Sequence, residues 1–237
     1  MRHLLLALLL FFSSLEITAQ NSTSAGKQPQ GPLVLRYLAL GDSYTVGTAI
    51  GKENSYASLL ARHLAKADDL DSVYLNIIAQ NGWTTNDLLQ GIIKNKPDSS
   101  YHLVSVLIGV NNQYQKLSLV EYKQELARLF AQAVALGQNK KESIVVFSIP
   151  DWGSTPSGED NRVNISAEID AFNAVQIELC DSLGLKFIDI TAISRKAVNE
   201  PILVATDRLH FSAEMHILWL NHVISKLDLM NFYPVRF

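Results

Sequence analysis

The run LVLRYLAL at residues 33–40, followed at once by Gly41-Asp42-Ser43-Tyr44, is the stretch that decides the fold. Eight residues of nearly unbroken hydrophobicity ending in turn formers read as a short strand buried on both faces, the kind found inside a parallel sheet. Similar runs recur at 73–79, 103–108, 144–149 and 185–190. Between them lie longer stretches of helical pattern at 56–67, 86–94, 119–136, 166–183 and 213–227. Patterns that alternate in this way build βαβ units, so the chain is expected to be α/β, a three-layer α/β/α sandwich around a central parallel sheet of about five strands. Ser118-x-x-Glu121 reads as a capping box and Ser212, before Ala213-Glu214, as an N-cap. The two stretches without pattern, 110–117 and 150–164, follow strand carboxyl ends, where open parallel sheets carry their sites.

The 237 residues carry a formal charge of −3 with 48% hydrophobic and 18% charged side chains, a balance that excludes disorder, coiled coil and collagen. A chain of this length hides roughly 70% of its unfolded surface, ample for a large core. No block of like charge offers a footprint for a phosphate backbone, and Lys140-Lys141 reads as a solvated loop, so nucleic acid is not an expected partner. The single cysteine, Cys180, excludes an internal disulfide and a cysteine-built zinc site, and its apolar neighbours mark it as a small buried hydrophobe.

Met1-Arg2-His3 followed by an apolar run over 4–12 has the charged and hydrophobic regions of a secretory signal. A membrane-spanning helix takes about 20 apolar residues, so this run is too short to be one. Cleavage is expected after Ala19, giving a signal peptide at 1–19, a polar flexible leader at 20–32 and a folded domain at 33–237. The mature protein is expected to be exported, periplasmic or secreted, with no stable membrane insertion.

Four elements could carry chemistry. Ser43 sits on the tight turn after the first strand, where a hydroxyl is presented at the edge of the sheet as a nucleophile requires, although Gly-Asp-Ser is also an ordinary turn. Asp207-Arg208-Leu209-His210 precedes the last helix and could hold a carboxylate against an imidazole, the base that a serine needs. Gln80-Asn81-Gly82-Trp83 and Gly109-Val110-Asn111-Asn112 follow the second and third strands. There Gly82 would let backbone approach closely and Asn111 would supply a side-chain NH₂, the donors that acyl transfer needs for the developing oxyanion. Each element alone is explained as well by a turn. All four together, at strand carboxyl ends or before the final helix, are not what independent turns would give.

This set resembles the SGNH/GDSL hydrolases, over residues 36–227. The resemblance implies a flavodoxin-like SGNH hydrolase fold and a serine esterase. Ser43 would be nucleophile, Gly82 and Asn111 would share the oxyanion hole with the Ser43 backbone N–H, His210 would be base and Asp207 its partner. Tyr44 stands where the family usually has leucine, and Asn112 where it often has aspartate. Exported bacterial members also contain a stretch like Ser148-Ile149-Pro150-Asp151-Trp152-Gly153, whose role the sequence does not assign. No metal and no organic cofactor is implied.

A metal-hydrolase alternative would need His210, His216 and Asp207 as ligands. The spacing of six between the histidines does not put them on one helix face, and His216 is expected to face solvent. A nucleotide site lacks both Gly-x-Gly-x-x-Gly and Gly-Lys-Ser/Thr after the first strand. Tyr44, Trp83, Tyr114 and Trp152 fall at the site end, either as a substrate wall or as loop anchors. An ester of a glycan, a lipid or another small molecule is the expected substrate, and the absence of a lid segment tilts the choice to short acyl groups such as O-acetyl on carbohydrate. Lysophospholipase, lipase or thioesterase activity, or a non-catalytic carbohydrate- or lipid-binding module, are the alternatives. Oligomeric state is not readable.

Overall fold

The computed structural model describes residues 32–68 and 70–234. The expected signal peptide and all but the last residue of the leader lie outside the described residues. Five strands, β1 (Val34–Gly41), β2 (Ser72–Ala79), β3 (Leu103–Leu107), β4 (Ile144–Phe147) and β5 (Lys186–Ile188), form one sheet in the order β2-β1-β3-β4-β5. Every neighbouring pair is parallel. β1 runs beside β2 from Val34↔Ser72 to Gly41↔Ala79 and beside β3 from Tyr37↔Leu103 to Gly41↔Leu107, so the carboxyl ends of these three strands are level.

The helices are α1 (Ser43–Val46), α2 (Tyr56–Leu64), α3 (Thr85–Asn95), α4 (Val110–Tyr114), α5 (Leu119–Leu136), α6 (Arg162–Leu183), α7 (Thr191–Ser194) and α8 (Ala213–Lys226). α2 packs with α8, while α5 packs with both α3 and α6, so the sheet lies between two helical layers. This is the expected three-layer sandwich. The chain leaves β1 for one side of the sheet and returns after β2 to the other, so β1 and β3 flank the point where strand order reverses. Open α/β sheets leave a crevice there.

Burial follows the sequence pattern in the middle and departs from it at the margins. β3 and β4 are buried at every position, as is β1 from Tyr37 onward. β2 and β5 are edge strands and only partly covered, so the two-faced burial expected from apolar runs holds for the interior of the sheet alone. Cys180 is fully buried in the core.

Helix starts show what local chemistry decides. Ser212 caps α8 by accepting from the Met215 N–H at 3.3 Å. The Ser118 hydroxyl accepts from Val120 rather than entering a reciprocal box with Glu121, which is exposed. The box closes instead at α3, where the Thr84 hydroxyl accepts from the Asp87 N–H and the Asp87 carboxylate accepts from the Thr84 N–H at 2.9 Å. Neither patternless stretch is irregular throughout. Val110–Tyr114 is the short helix α4, and α6 begins at Arg162, four residues earlier than expected. One turn of helix is too short to show a hydrophobic period, which is why α4 is invisible in sequence.

Candidate active site

β1 delivers Gly41, Asp42 and Ser43 to the crevice. Gly41 passes so close to β3 that a Cβ there would meet the Leu107 carbonyl oxygen at 2.4 Å and the Thr45 hydroxyl at 2.1 Å, so no side chain fits. Asp42 turns the chain into α1, its Oδ1 accepting from the Tyr44 N–H at 3.1 Å. Ser43 is then the first residue of α1, where a helix has no internal acceptor for the backbone N–H.

The second arm is the loop before α8. An isolated bridge between Val204 and Phe211 closes it, and the Ala205 N–H donates to the His210 carbonyl at 2.8 Å. Within it, Asp207 Oδ1 accepts from the Leu209 and His210 N–H groups at 3.0 and 2.9 Å, and Oδ2 lies 2.6 Å from His210 Nδ1. His210 Nε2 is 3.0 Å from Ser43 Oγ. The structure thus brings together Ser43, His210 and Asp207, three residues spread over most of the folded chain. A hydroxyl, an imidazole and a carboxylate in this order can move the hydroxyl proton onto Nε2, because the carboxylate keeps Nδ1 protonated and stabilises the imidazolium. Partial burial acts to raise the Asp207 pKa, but the hydrogen bonds from His210 and Leu209 outweigh it and hold the carboxyl below its ordinary range.

Gly82 and Asn111 face the same cavity, of about 250 Å³, which Ser43 and His210 also line. Gly82 has φ +78° with nothing within 4 Å of where a Cβ would stand. The glycine meets the need for a left-handed backbone, and the space beside it belongs to the cavity. Its N–H donates no hydrogen bond among the described residues. Asn111 Nδ2 donates one hydrogen to the Trp83 carbonyl at 2.9 Å, which ties α4 to the turn holding Gly82 and leaves its second hydrogen without an acceptor among the described residues. Three donors therefore stand round the cavity, on Ser43, Gly82 and Asn111.

The four aromatic residues divide. Tyr44 borders the cavity but is buried beside His210, Phe211 and Trp219, with ring centroids 5.9, 5.8 and 6.0 Å away. Trp83 turns from the cavity and packs on Gly91 of α3. Tyr114 and Trp152 line the cavity. Asn112 is fully buried and bonds Thr85 twice, accepting from its N–H at 3.0 Å and donating to its hydroxyl at 2.8 Å. An aspartate could make only the first of these bonds.

Sequence reasoning misplaced one residue. His216 is buried, not solvent-facing: its Nδ1 accepts from the Tyr56 N–H at 3.0 Å, and its ring lies 4.5 Å from that of Trp219. Burial, with His210 as a lesser cause, pushes its pKa down to about 3. The signal was available, since His216, Trp219 and Val223 share one helix face and the latter two are core residues. Asp42 is a second residue whose setting the sequence does not disclose. It is fully buried, its Oδ2 has no hydrogen-bond partner among the described residues, and burial pushes its pKa up to about 7 against the Tyr44 bond. Asn81, Val110 and Leu209 also line the cavity. Among the described residues no three His, Cys, Asp or Glu side chains converge as metal ligands, and no helix is long and apolar enough to cross a membrane.

Residues 39–218 match the family model described as GDSL-like lipase/acylhydrolase. No curated protein matches the chain. Among solved structures, the chain is similar to a lipase/acylhydrolase from Enterococcus faecalis, at 19% identity and TM-score 0.65 over 86% of this chain and 100% of that one. It is also similar to the esterase EstA from a Pseudoalteromonas species, at 14% identity and TM-score 0.61 over 81% and 95%. A third is Axe2, an acetylxylan esterase from Geobacillus stearothermophilus, at 19% identity and TM-score 0.62 over 85% and 97%. At these identities the likeness is one of fold.

Proposed function

The chain belongs to the GDSL-like lipase/acylhydrolase family, whose chemistry is ester hydrolysis, and on that footing we propose that it cleaves esters of short acyl groups, such as O-acetyl on carbohydrate, through an acyl-enzyme on Ser43. The observation that carries this is the unbroken chain Asp207–His210–Ser43, with contacts of 2.6 and 3.0 Å, opening into the cavity. Ser43 Oγ attacks the carbonyl carbon as its proton passes to His210 Nε2. The C–O bond to the leaving alcohol breaks, and the alkoxide takes that proton. Water then attacks the acyl-enzyme with His210 as base, releasing the acid and restoring Ser43. Asp207 stays ionised throughout, in keeping with its depressed pKa. The N–H groups of Ser43 and Gly82 and the second Nδ2 hydrogen of Asn111 receive the negative charge that builds on the carbonyl oxygen.

Cavity size supports a short acyl group, since about 250 Å³ falls below the roughly 300–1,000 Å³ of sites that take drug-sized ligands. The likeness to an acetylxylan esterase adds weight to O-acetyl carbohydrate. The signal-like start at 1–19 supports work outside the cytoplasm, in the periplasm or the medium. The test is hydrolysis of p-nitrophenyl esters from acetate to palmitate, with Ser43→Ala as control. Activity that peaks at the short end and vanishes in the control is the expected result. Equal release by protein and control across the series would sink the proposal.

A further inference from the structure

Tyr114 and Trp152 stand apart from everything the ester-cleaving machinery uses. Tyr114 ends α4, three residues after Asn111 and so on the same face of the helix. It is 59% exposed, and its hydroxyl makes no hydrogen bond among the described residues, although Tyr114 helps line the cavity. Its ring centroid lies 5.4 Å from that of Trp152 with the planes at 60°. Trp152 is held far more tightly than an ordinary loop residue. Its Nε1 donates to Gln113 Oε1 at 2.8 Å, Gln113 Nε2 donates to Glu168 Oε2 at 2.6 Å, and Glu168 is ion-paired with Lys116 at 2.6 Å. Gln113 and Tyr114 are consecutive, so α4 grips the indole by its nitrogen and by its ring at once.

The residue before the tryptophan fastens it from the other side. Asp151 is fully buried, accepts from the Gly153 N–H at 2.9 Å and from the Ser166 hydroxyl at 2.6 Å, and pairs with Arg195 Nε at 2.8 Å. Its own N–H donates to Ser194 Oγ at 2.9 Å. Ser148, at the start of the same stretch, accepts from the Ile190 and Thr191 N–H groups at 2.7 and 2.9 Å. The segment Ser148–Gly153, which sequence left without a role, is therefore a bracket that fixes one indole at the cavity wall.

A fixed indole edge-on to an exposed phenol suits one kind of ligand better than another. An alkyl chain gains about 0.8 kcal/mol per methylene only when it leaves water, and a half-exposed tyrosine at a cavity of this size gives it little shelter. A pyranose has an apolar face of ring C–H groups and a rim of hydroxyls, so it can cover the phenol and keep its rim wet. Rigid aromatic side chains supply such amphipathic area at low entropy cost. A donor for the rim is at hand: Asn81, exposed at the cavity, uses Oδ1 to accept from Thr48, while its Nδ2 makes no hydrogen bond among the described residues.

We propose that Tyr114 and Trp152 form a prebuilt aromatic step that receives the ring face of the carbohydrate carrying the scissile acyl group, with Asn81 bonding its hydroxyls. This rests on the esterase function above and assigns specificity, not chemistry, to the step.

The test compares three esters, acetylated xylobiose, ethyl acetate and ethyl decanoate, with the purified protein and with Tyr114→Ala, Tyr114→Phe and Ser43→Ala. The ratio of kcat/KM for the sugar ester to that for ethyl acetate should fall on the order of tenfold in Tyr114→Ala, chiefly through KM, and be kept in Tyr114→Phe, which retains the ring. An unchanged ratio in Tyr114→Ala overturns the step and leaves the esterase standing. So does a parent protein that cleaves ethyl acetate but not the sugar ester, or a loss in Tyr114→Ala confined to ethyl decanoate, which would make the pair an acyl-chain site. If the parent and Ser43→Ala are equally inert on all three esters, the esterase function fails and the step falls with it.

Discussion

Asp207 and His210 beside Ser43, and Asp42 and His216 in the core, are two pairs of the same residue types in different surroundings. Asp207 and His210 lie on a loop open to solvent, with side-chain exposures of 36% and 17%, and they touch each other. Asp42 and His216 are buried, and among the described residues neither has a charged partner within hydrogen-bond distance. In the exposed pair, contact holds the carboxylate ionised and aims the imidazole at Ser43. In the buried pair, desolvation dominates and pushes both groups toward their neutral forms. A single helix-length of chain thus holds one histidine in contact with a carboxylate and a serine hydroxyl and another that burial keeps uncharged. What separates them is not residue type but burial, complete for His216 and partial for His210, which also touches a carboxylate.

The largest expected effect breaks the contact in the exposed pair. His210→Ala should lower turnover of a short-chain ester by about 10⁴-fold or more, as loss of the base does in serine hydrolases. Steady-state kinetics on p-nitrophenyl acetate checks this, and a loss under tenfold would remove His210 from the mechanism. Asp207→Asn comes next, with kcat falling on the order of 10²–10⁴ because an amide neither holds the Nδ1–H tautomer nor stabilises the imidazolium. The matched change Asp42→Asn should lower kcat less than about tenfold, since asparagine caps a helix turn as well as aspartate does. If the two variants lose comparable activity, the contrast between the pairs is false. Asn111→Ala should lower kcat by about 10²–10³ by removing one oxyanion donor, with a smaller change in KM.

Where the sequence could be read, one period or one short motif carried the information. Apolar runs placed all five strands, and α5 spans the expected residues to both ends, because an interior strand or a long amphipathic helix repeats its signal many times. Ser43, Asp207 and His210 were legible as motifs and meet within hydrogen-bond distance. What escaped depends on contacts between segments far apart. α4 is a single turn placed by Asn112 bonding to Thr85, and the bracket round Trp152 depends on Arg195, Ser166 and Ser194. The burial of His216 is carried by its register with Trp219 and Val223 and not by its separation from His210.

The smallest effect is the most specific to the buried pair, because the two groups act on stability with opposite signs. Asp42 has its pKa raised by burial from 3.8 to about 7, so the folded protein holds a proton there that the unfolded chain releases. Its contribution is full below pH 3.8 and is lost as pH rises to about 7. His216 has its pKa lowered from 6.5 to about 3, so the unfolded chain takes up a proton that the folded protein refuses. Its contribution is full above pH 6.5 and is lost as pH falls toward 3. Between about pH 4 and 6.5 each group alone would tilt stability by up to about 1.4 kcal/mol per pH unit, one up and one down, so together they cancel. Single variants unmask the tilt. The Tm of Asp42→Asn relative to the parent should climb by a few degrees per pH unit as pH rises across this window, while that of His216→Asn should fall by a similar amount. In the double variant the difference from the parent should be nearly independent of pH. Thermal melts of the four proteins at half-unit steps give the answer, and difference curves that stay flat in both single variants would mean that water or local opening reaches these groups and that burial does not govern them.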